Sequence, residues 1–370
     1  MEFTFTEEQE RLRSEGLGLA GLVSAEQLRT GVDEDVFKTL TDKGLAAAAL
    51  PAGSGGRGLD VSRLCALWEG LGEGTGDAAL ASALSTHAVL TAVALWKLGT
   101  EQQRRDLLPG VADGGVSTAL SAYELAGGAA RANRALTATA RPDGDWLLEG
   151  TKADVVNAPW ADRILVTAAT GPGAASAFVV HRRTPGLRVA DTARGLGSLT
   201  FDRVRVPAGA LLGTPDAAYR ELLPLLLALD ATVTSATWIG VMRALLDRAL
   251  DAARTAQFLD RPVQRFQDVR FALADSRTRV ELSTGLVYRA AWELDQKDHP
   301  GRQDAAVAKL FTVRAAHATV ADTTRVLALA DRFPDPLAEA AARDLARLEH
   351  AAHGTDLTRS AVAASVLGLG

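Results

Sequence analysis

The hydrophobic positions divide the chain into three stretches of different period. From residue 1 to about 115 apolar residues recur at helical spacing, and Leu64, Leu67, Trp68 and Leu71 share one predicted helix face. Thr6 with Gln9, and Thr100 with Gln103, form capping boxes, in which each side chain satisfies a backbone N–H at a helix start. The glycine-rich run 53–58 interrupts these helices. From about 116 to 215 the period shortens to that of strands. Leu136–Ala140 and Trp146-Leu147-Leu148 flank the turn Pro142-Asp143-Gly144-Asp145, which reads as a hairpin. Ile164-Leu165-Val166, Phe178-Val179-Val180 and Val204-Arg205-Val206 add further strands. From about 216 helical spacing returns, and long helices are predicted at roughly 218–258, 264–297, 303–331 and 335–352. The pattern predicts a mostly α protein with central β: an N-terminal helical domain (1–115), a middle β-barrel (116–215) and a C-terminal four-helix bundle (216–370).

Composition narrows the function classes. At 370 residues and 47% hydrophobic, the chain can bury a large core. A net charge of −5 with both signs interspersed argues against a nucleic-acid face and a polybasic membrane patch. The apolar runs read as shorter than a membrane span, and the acidic, amphipathic N-terminus is unlike a signal peptide, so a cytoplasmic protein is expected. Cys65 is the single cysteine, which rules out an internal disulfide and a cysteine-rich metal site; its apolar neighbours predict burial. No metal is expected.

Short motifs then occur in a telling order. Phe5-Thr6-Glu7-Glu8-Gln9 opens the chain, and Leu50-Pro51 precedes Gly55-Gly56-Arg57-Gly58-Leu59-Asp60. Gly99-Thr100-Glu101-Gln102-Gln103 runs to Leu108-Pro109, and Gly150-Thr151-Lys152 is followed by Asn157-Ala158. Pro207, Leu211-Leu212-Gly213, Gly240, Pro262, Phe266-Gln267 and Lys309 complete the series. In this order, over nearly the full chain, they resemble the acyl-CoA dehydrogenase family. The resemblance implies an enzyme that oxidises an acyl thioester between its α and β carbons. A carboxylate removes the α proton while FAD accepts the β hydride.

The positions that would carry this chemistry are altered. The family segment Thr-Glu-Pro-x-Ala-Gly-Ser-Asp, which lies against the flavin, corresponds to Tyr123-Glu124-Leu125-Ala126-Gly127-Gly128-Ala129-Ala130, give or take one residue. If FAD binds, Glu124, Gly127, Gly128, Val156 and Arg325 are the residues the resemblance assigns to it. The family's aromatic–Ile–hydroxyl run becomes Asp154-Val155-Val156: a charge against an apolar ring edge, and a side chain with no hydrogen to donate. The arginine that reaches a neighbouring subunit's FAD falls at Ala256, and the Phe-Gly after it at Leu259-Asp260. The glycine-rich adenine loop becomes Arg325-Val326-Leu327-Ala328-Leu329-Ala330-Asp331, where Arg325 either pairs a phosphate or continues a helix. The family's Glu-Gly-Thr base segment becomes His353-Gly354-Thr355. An alternative base position, ten residues before Gly240, is Asp230, whose apolar run Leu225 to Leu229 predicts a raised pKa.

Losses at ring, pyrophosphate, adenine and base together predict that FAD is not bound. Three functions stay open. One is flavin-independent acid–base catalysis on an acyl-thioester or polyketide-like intermediate (dehydration, isomerisation or cyclisation), using Asp230, His353, Tyr123 and Asp154 around a vacated cleft. The second is a conventional FAD-dependent dehydrogenase with Asp230 as base. The third is a non-catalytic subunit pairing with an active homologue. The expected partner is a thioester on coenzyme A or a carrier protein. A homodimer or homotetramer is expected through the bundle, because the apolar runs in 221–251 would leave a monomer with exposed hydrophobic surface.

Overall fold

The computed structural model describes residues 4–32, 34–122, 136–296, 302–350 and 355–368. Helices come first: α1 (Glu7–Leu17), α2 (Ala25–Thr30), α3 (Glu34–Leu40), α4 (Val61–Thr75), α5 (Ala78–Ser85), α6 (Ala92–Leu98) and α7 (Glu101–Ala112). Both expected capping boxes form, on α1 and α7, and Ser24 with Gln27 makes a third on α2. The glycine run is a tight loop in which a Cβ on Gly56 would stand 1.9 Å from the Leu50 carbonyl oxygen. Arg57 leaves this loop to make a two-pronged ion pair with Glu15 of α1, at 2.8 Å on each side.

The central sheet has eight strands: β1 (Thr118–Ser121), β2 (Leu136–Ala140), β3 (Trp146–Val156), β4 (Arg163–Gly171), β5 (Ala174–His181), β6 (Leu187–Ala193), β7 (Leu196–Val206) and β8 (Leu211–Leu212). Its order is β6-β7-β3-β1-β4-β5-β8, with β2 also bridging β3 to β4. Most pairs are antiparallel; β1 and β2 run parallel to β4. The expected hairpin is present, with Ala140 opposite Trp146 and Gly144 at φ 89 in the turn. The sheet encloses its own apolar core, which includes Leu148, Val166, Phe178, Leu199 and Val204.

The bundle helices are Leu223–Thr255, Gln267–Asp295, Arg302–Leu329 and Pro336–His350, followed by a shorter helix, Thr355–Val366, that periodicity did not suggest. The first ends three residues earlier than its apolar pattern predicts. A hairpin takes over there: Gln257–Phe258 pairs with Arg261–Pro262, and Leu259 and Asp260 both take positive φ (49 and 56) in the two-residue turn.

Two expectations need correction. The stretches Ala78–Leu98 and Ala218–Thr255 are long and apolar enough to cross a membrane (mean hydropathy 1.7 and 1.6), yet 89% and 72% of those windows are buried inside the protein. They are core helices. For the same reason the apolar run 221–251 does not expose the surface expected for self-association: Leu226, Leu229, Val233, Ile239, Val241, Met242 and Leu245 are all buried within this chain.

Helix α4 joins the N-terminal helices to the bundle. It contacts α1 and the first bundle helix through glycines that let backbones approach. A Cβ on Gly70 would meet the Arg13 carbonyl oxygen at 2.0 Å, one on Gly72 the Thr237 carbonyl oxygen at 2.3 Å, and one on Gly240 the Glu69 carbonyl oxygen at 2.0 Å. Gly240→Ala therefore forces backbone apart rather than a side chain aside. Overpacking of this kind destabilises by about 1–3 kcal/mol. Urea denaturation should show at least that loss, and unchanged stability would mean that the close approach at Gly240 does not exist.

Candidate functional site

The carboxylate expected to act as a base is paired. Asp230 lies on the first bundle helix, and its Oδ2 accepts a hydrogen bond from Lys309 Nζ of the third bundle helix at 2.7 Å. The Thr234 hydroxyl, one turn on, donates to Oδ1 at 3.0 Å. Lys309 is buried and Asp230 nearly so. The sequence motif contained Lys309 but gave no sign that its ammonium meets a residue 79 positions away. The carboxylate is thus held in direction, with a countercharge that offsets the desolvation its apolar run implies.

Val156, at the end of β3, packs against the large apolar core that the N-terminal helices share with the start of the first bundle helix. Asp154 has a different setting from the one expected. It is exposed, at φ 53, on a β-bulge where the β3–β7 register shifts between Lys152 and Val155. Aspartate tolerates this left-handed geometry better than most residues, which gives it a backbone role at the bulge.

Arg325 is a helix residue. The third bundle helix runs on to Leu329, and the Arg325 guanidinium pairs with Asp322 one turn earlier. Asp322 also holds Arg279 of the second bundle helix at 2.7 Å. Sixteen residues of helix separate Lys309 from Arg325, about 24 Å, so Asp230 and Arg325 do not share one site. Tyr123, Glu124, Gly127, Gly128 and His353 lie outside the described residues.

At the positions that resemblance assigns to FAD, the described residues do not fit the dinucleotide. Val156 offers no donor, and Asp154 and Asp260 add negative charge. Ala256 merely ends the first bundle helix, and the turn after it is shaped by Leu259 and Asp260. The helix through 325–329 presents side chains where bare backbone would be needed. Among the described residues no three His, Cys, Asp or Glu side chains gather to hold a metal ion.

Comparison with known proteins is unambiguous about descent. Models of the acyl-CoA dehydrogenase N-terminal, middle and C-terminal domains match residues 6–115, 119–205 and 226–365. The chain belongs to the acyl-CoA dehydrogenase family. It is 31% identical to the benzylmalonyl-CoA dehydrogenase of Aromatoleum aromaticum over 79% of each chain. It is 29% identical to the L-prolyl-(peptidyl-carrier protein) dehydrogenase of Pseudomonas fluorescens over 77% of each. A solved structure of PigA with FAD and proline superposes with a TM-score of 0.90 at 22% identity, covering 100% of both chains, which speaks for the fold.

Two buried titratable groups escaped the sequence reading. Glu69 of α4 is fully buried and accepts from Arg13 Nε (3.1 Å), Arg243 Nε (3.1 Å) and the Tyr288 hydroxyl (2.9 Å). Burial raises its pKa, and the Arg243 and Arg13 guanidinium groups pull it back. The Tyr288 phenol is pushed well up, first by burial and then by Glu69. His87, between α5 and α6, is also fully buried, with Nδ1 3.0 Å from the Thr118 hydroxyl of β1 and Nε2 3.1 Å from the Val111 carbonyl oxygen. Both are held by contacts distant in sequence.

Burial lowers the His87 pKa from 6.5 to about 4, against a smaller opposing effect of the Val111 hydrogen bond. The imidazole is therefore neutral in the folded protein between those values, while an unfolded chain takes up the proton. Stability contributed by the neutral form is complete above about pH 6.5 and is lost as pH falls towards 4. The loss from this group is on the order of 3 kcal/mol. His87→Gln should flatten the decline of unfolding free energy across that window, measured by denaturation at a series of pH values. An unchanged slope would contradict the assignment.

Proposed function

We propose that this chain binds an acyl thioester, on coenzyme A or a carrier protein, and acts on it without FAD. The substrate class is supported by the relatives, one named for a coenzyme A thioester and another for a carrier-protein-bound prolyl group. The bundle supports the flavin-free reading most directly: the Leu259-Asp260 turn and the unbroken helix through 325–329 occupy the positions that should admit a dinucleotide. In this reading the protein works in the cytoplasm, on an intermediate of secondary metabolism such as a polyketide.

The chemistry we assign is acid–base. The Asp230 carboxylate takes the α proton of the thioester, and the C–H electron pair moves into the thioester enolate. Return of a proton to the same carbon gives exchange; where the acyl chain carries a β,γ double bond, the electron pair extends into a dienolate and protonation at its γ carbon gives the α,β isomer. Dehydration follows if a β hydroxyl leaves as water. Lys309 and Thr234 hold the carboxylate in direction. His353 and Tyr123 remain in this proposal as further acid–base groups, and the exposed Asp154 recedes to its place on the bulge.

One observation favours a second reading, a non-catalytic subunit that pairs with an active homologue: both oxygens of Asp230 already accept hydrogen bonds. Incubation with a panel of acyl-CoA thioesters in D2O, read by mass spectrometry, separates the two. The acid–base proposal expects deuterium at the α carbon of at least one thioester. The rate should fall more than tenfold in Asp230→Asn and persist in Asp230→Glu, which keeps a carboxylate. Exchange equally fast in Asp230→Asn would remove that residue from the chemistry. Binding without any exchange in the unmodified protein would favour the silent subunit.

A further inference from the structure

The second bundle helix (Gln267–Asp295) and the third (Arg302–Leu329) carry hydroxyls where the core of a bundle is ordinarily apolar. Ser276 and Ser283 of the second, and Thr312 and Thr319 of the third, are each 0% exposed. None of the four hydroxyls has a hydrogen-bond partner among the described residues. A serine or threonine inside a helix has a ready partner, the carbonyl oxygen four residues earlier. On these same helices Thr278, Thr284 and Thr323 use it, donating to the Ala274, Val280 and Thr319 carbonyl oxygens at 2.9, 2.9 and 2.7 Å. Ser276, Ser283, Thr312 and Thr319 do not, so their hydroxyls are turned elsewhere.

Spacing sorts the four into two pairs. Seven residues separate Ser276 from Ser283, and seven separate Thr312 from Thr319. Each helix therefore repeats its hydroxyl on one face about 10 Å further along. The two helices run antiparallel, tied by the ion pairs Arg289–Asp304 and Arg279–Asp322, both at 2.7 Å. That register sets Ser283 about level with Thr312, and Ser276 about level with Thr319. Val280, Ala315 and Ala316, all buried, lie between the two levels. A hydroxyl taken out of water without a partner is costly, and almost all buried ones bond to protein or to ordered water. Water suits both levels. It needs about two to four polar partners, and a hydroxyl both donates and accepts, beside helix carbonyl oxygens that keep a spare lone pair.

We infer that the seam between the second and third bundle helices binds ordered water at two levels, one held by Ser283 and Thr312 and the other by Ser276 and Thr319. These waters are part of the core, in the place that larger apolar side chains would otherwise fill. The sites do not depend on the thioester reading. The competing arrangement is a dry seam, in which each hydroxyl turns back onto its own helix.

Oxygen-17 relaxation dispersion of the solvent, on the full-length protein, reports water that leaves the interior more slowly than the protein tumbles. Thr312→Val and Thr319→Val remove a hydroxyl and keep the branched shape. With an unchanged circular dichroism spectrum, the dispersion amplitude should fall in each and fall further in the double variant. Thr312→Ser keeps the hydroxyl and should show no fall. A shared water also couples the residues that hold it. The losses of urea midpoint in Ser283→Ala and Thr312→Val should therefore be less than additive when combined, whereas those of Ser283→Ala and Thr319→Val, at different levels, should add. Unchanged dispersion in Thr312→Val, strictly additive losses for Ser283→Ala with Thr312→Val, or a higher midpoint in Thr312→Val would overturn the inference.

Discussion

A single buried carboxylate organises this protein. Glu69 sits on α4 and gathers Arg13 from α1, Arg243 from the first bundle helix and Tyr288 from the second. Arg13 also pairs with Glu73 one turn further along α4. A carboxylate carried fully out of water is strongly disfavoured unless opposite charge and hydrogen bonds surround it, and here two guanidinium groups and a phenol do so. The glycines at 70, 72 and 240 are the counterpart of that arrangement, because the arginines reach Glu69 only if the backbones lie nearly in contact. The same helix is fixed at its start by Asp295, whose carboxylate accepts from the Val61 and Ser62 amides at 2.7 and 3.0 Å. Charge pairing and close packing thus tie the N-terminal helices to the bundle at both ends of α4.

That anchoring determines what the bundle can present. Arg243 and Asp230 lie on one continuous helix, thirteen residues or about 20 Å apart. With Arg243 held by Glu69, the same helix carries Asp230 to Lys309. The architecture of an acyl-CoA dehydrogenase is therefore kept by interactions remote from any flavin. Glu69, its arginines and the three glycines lie outside the positions that resemblance assigns to FAD, so the fold does not depend on those positions.

Much of the fold was legible because it is written locally. Capping residues, the Asp143-Gly144 turn and the change from helical to alternating period each act within a few residues, and the structure places helices, strands and hairpin where they indicate. Contacts across the chain were not legible. Nothing near Asp230 announces Lys309, nothing near Glu69 announces Arg243, and the burial of His87 depends on β1 and α7 closing over it. Asp154 carries a second, local reading. Read as a lost ring contact it pointed to catalysis, whereas its left-handed backbone at a bulge supplies a local structural reason for an aspartate. Hydrophobicity along 218–255 misled, since a long apolar helix looks alike whether it meets its own core, another copy or a lipid.

Flavin-free catalysis, as proposed, requires that the dinucleotide positions no longer accept FAD. The most direct measurement is the ratio of flavin to protein in freshly purified material, from the visible absorbance spectrum before and after incubation with excess FAD and gel filtration. The expected result is a colourless protein that retains no flavin after either treatment. A yellow protein carrying flavin in near-stoichiometric amount would contradict it.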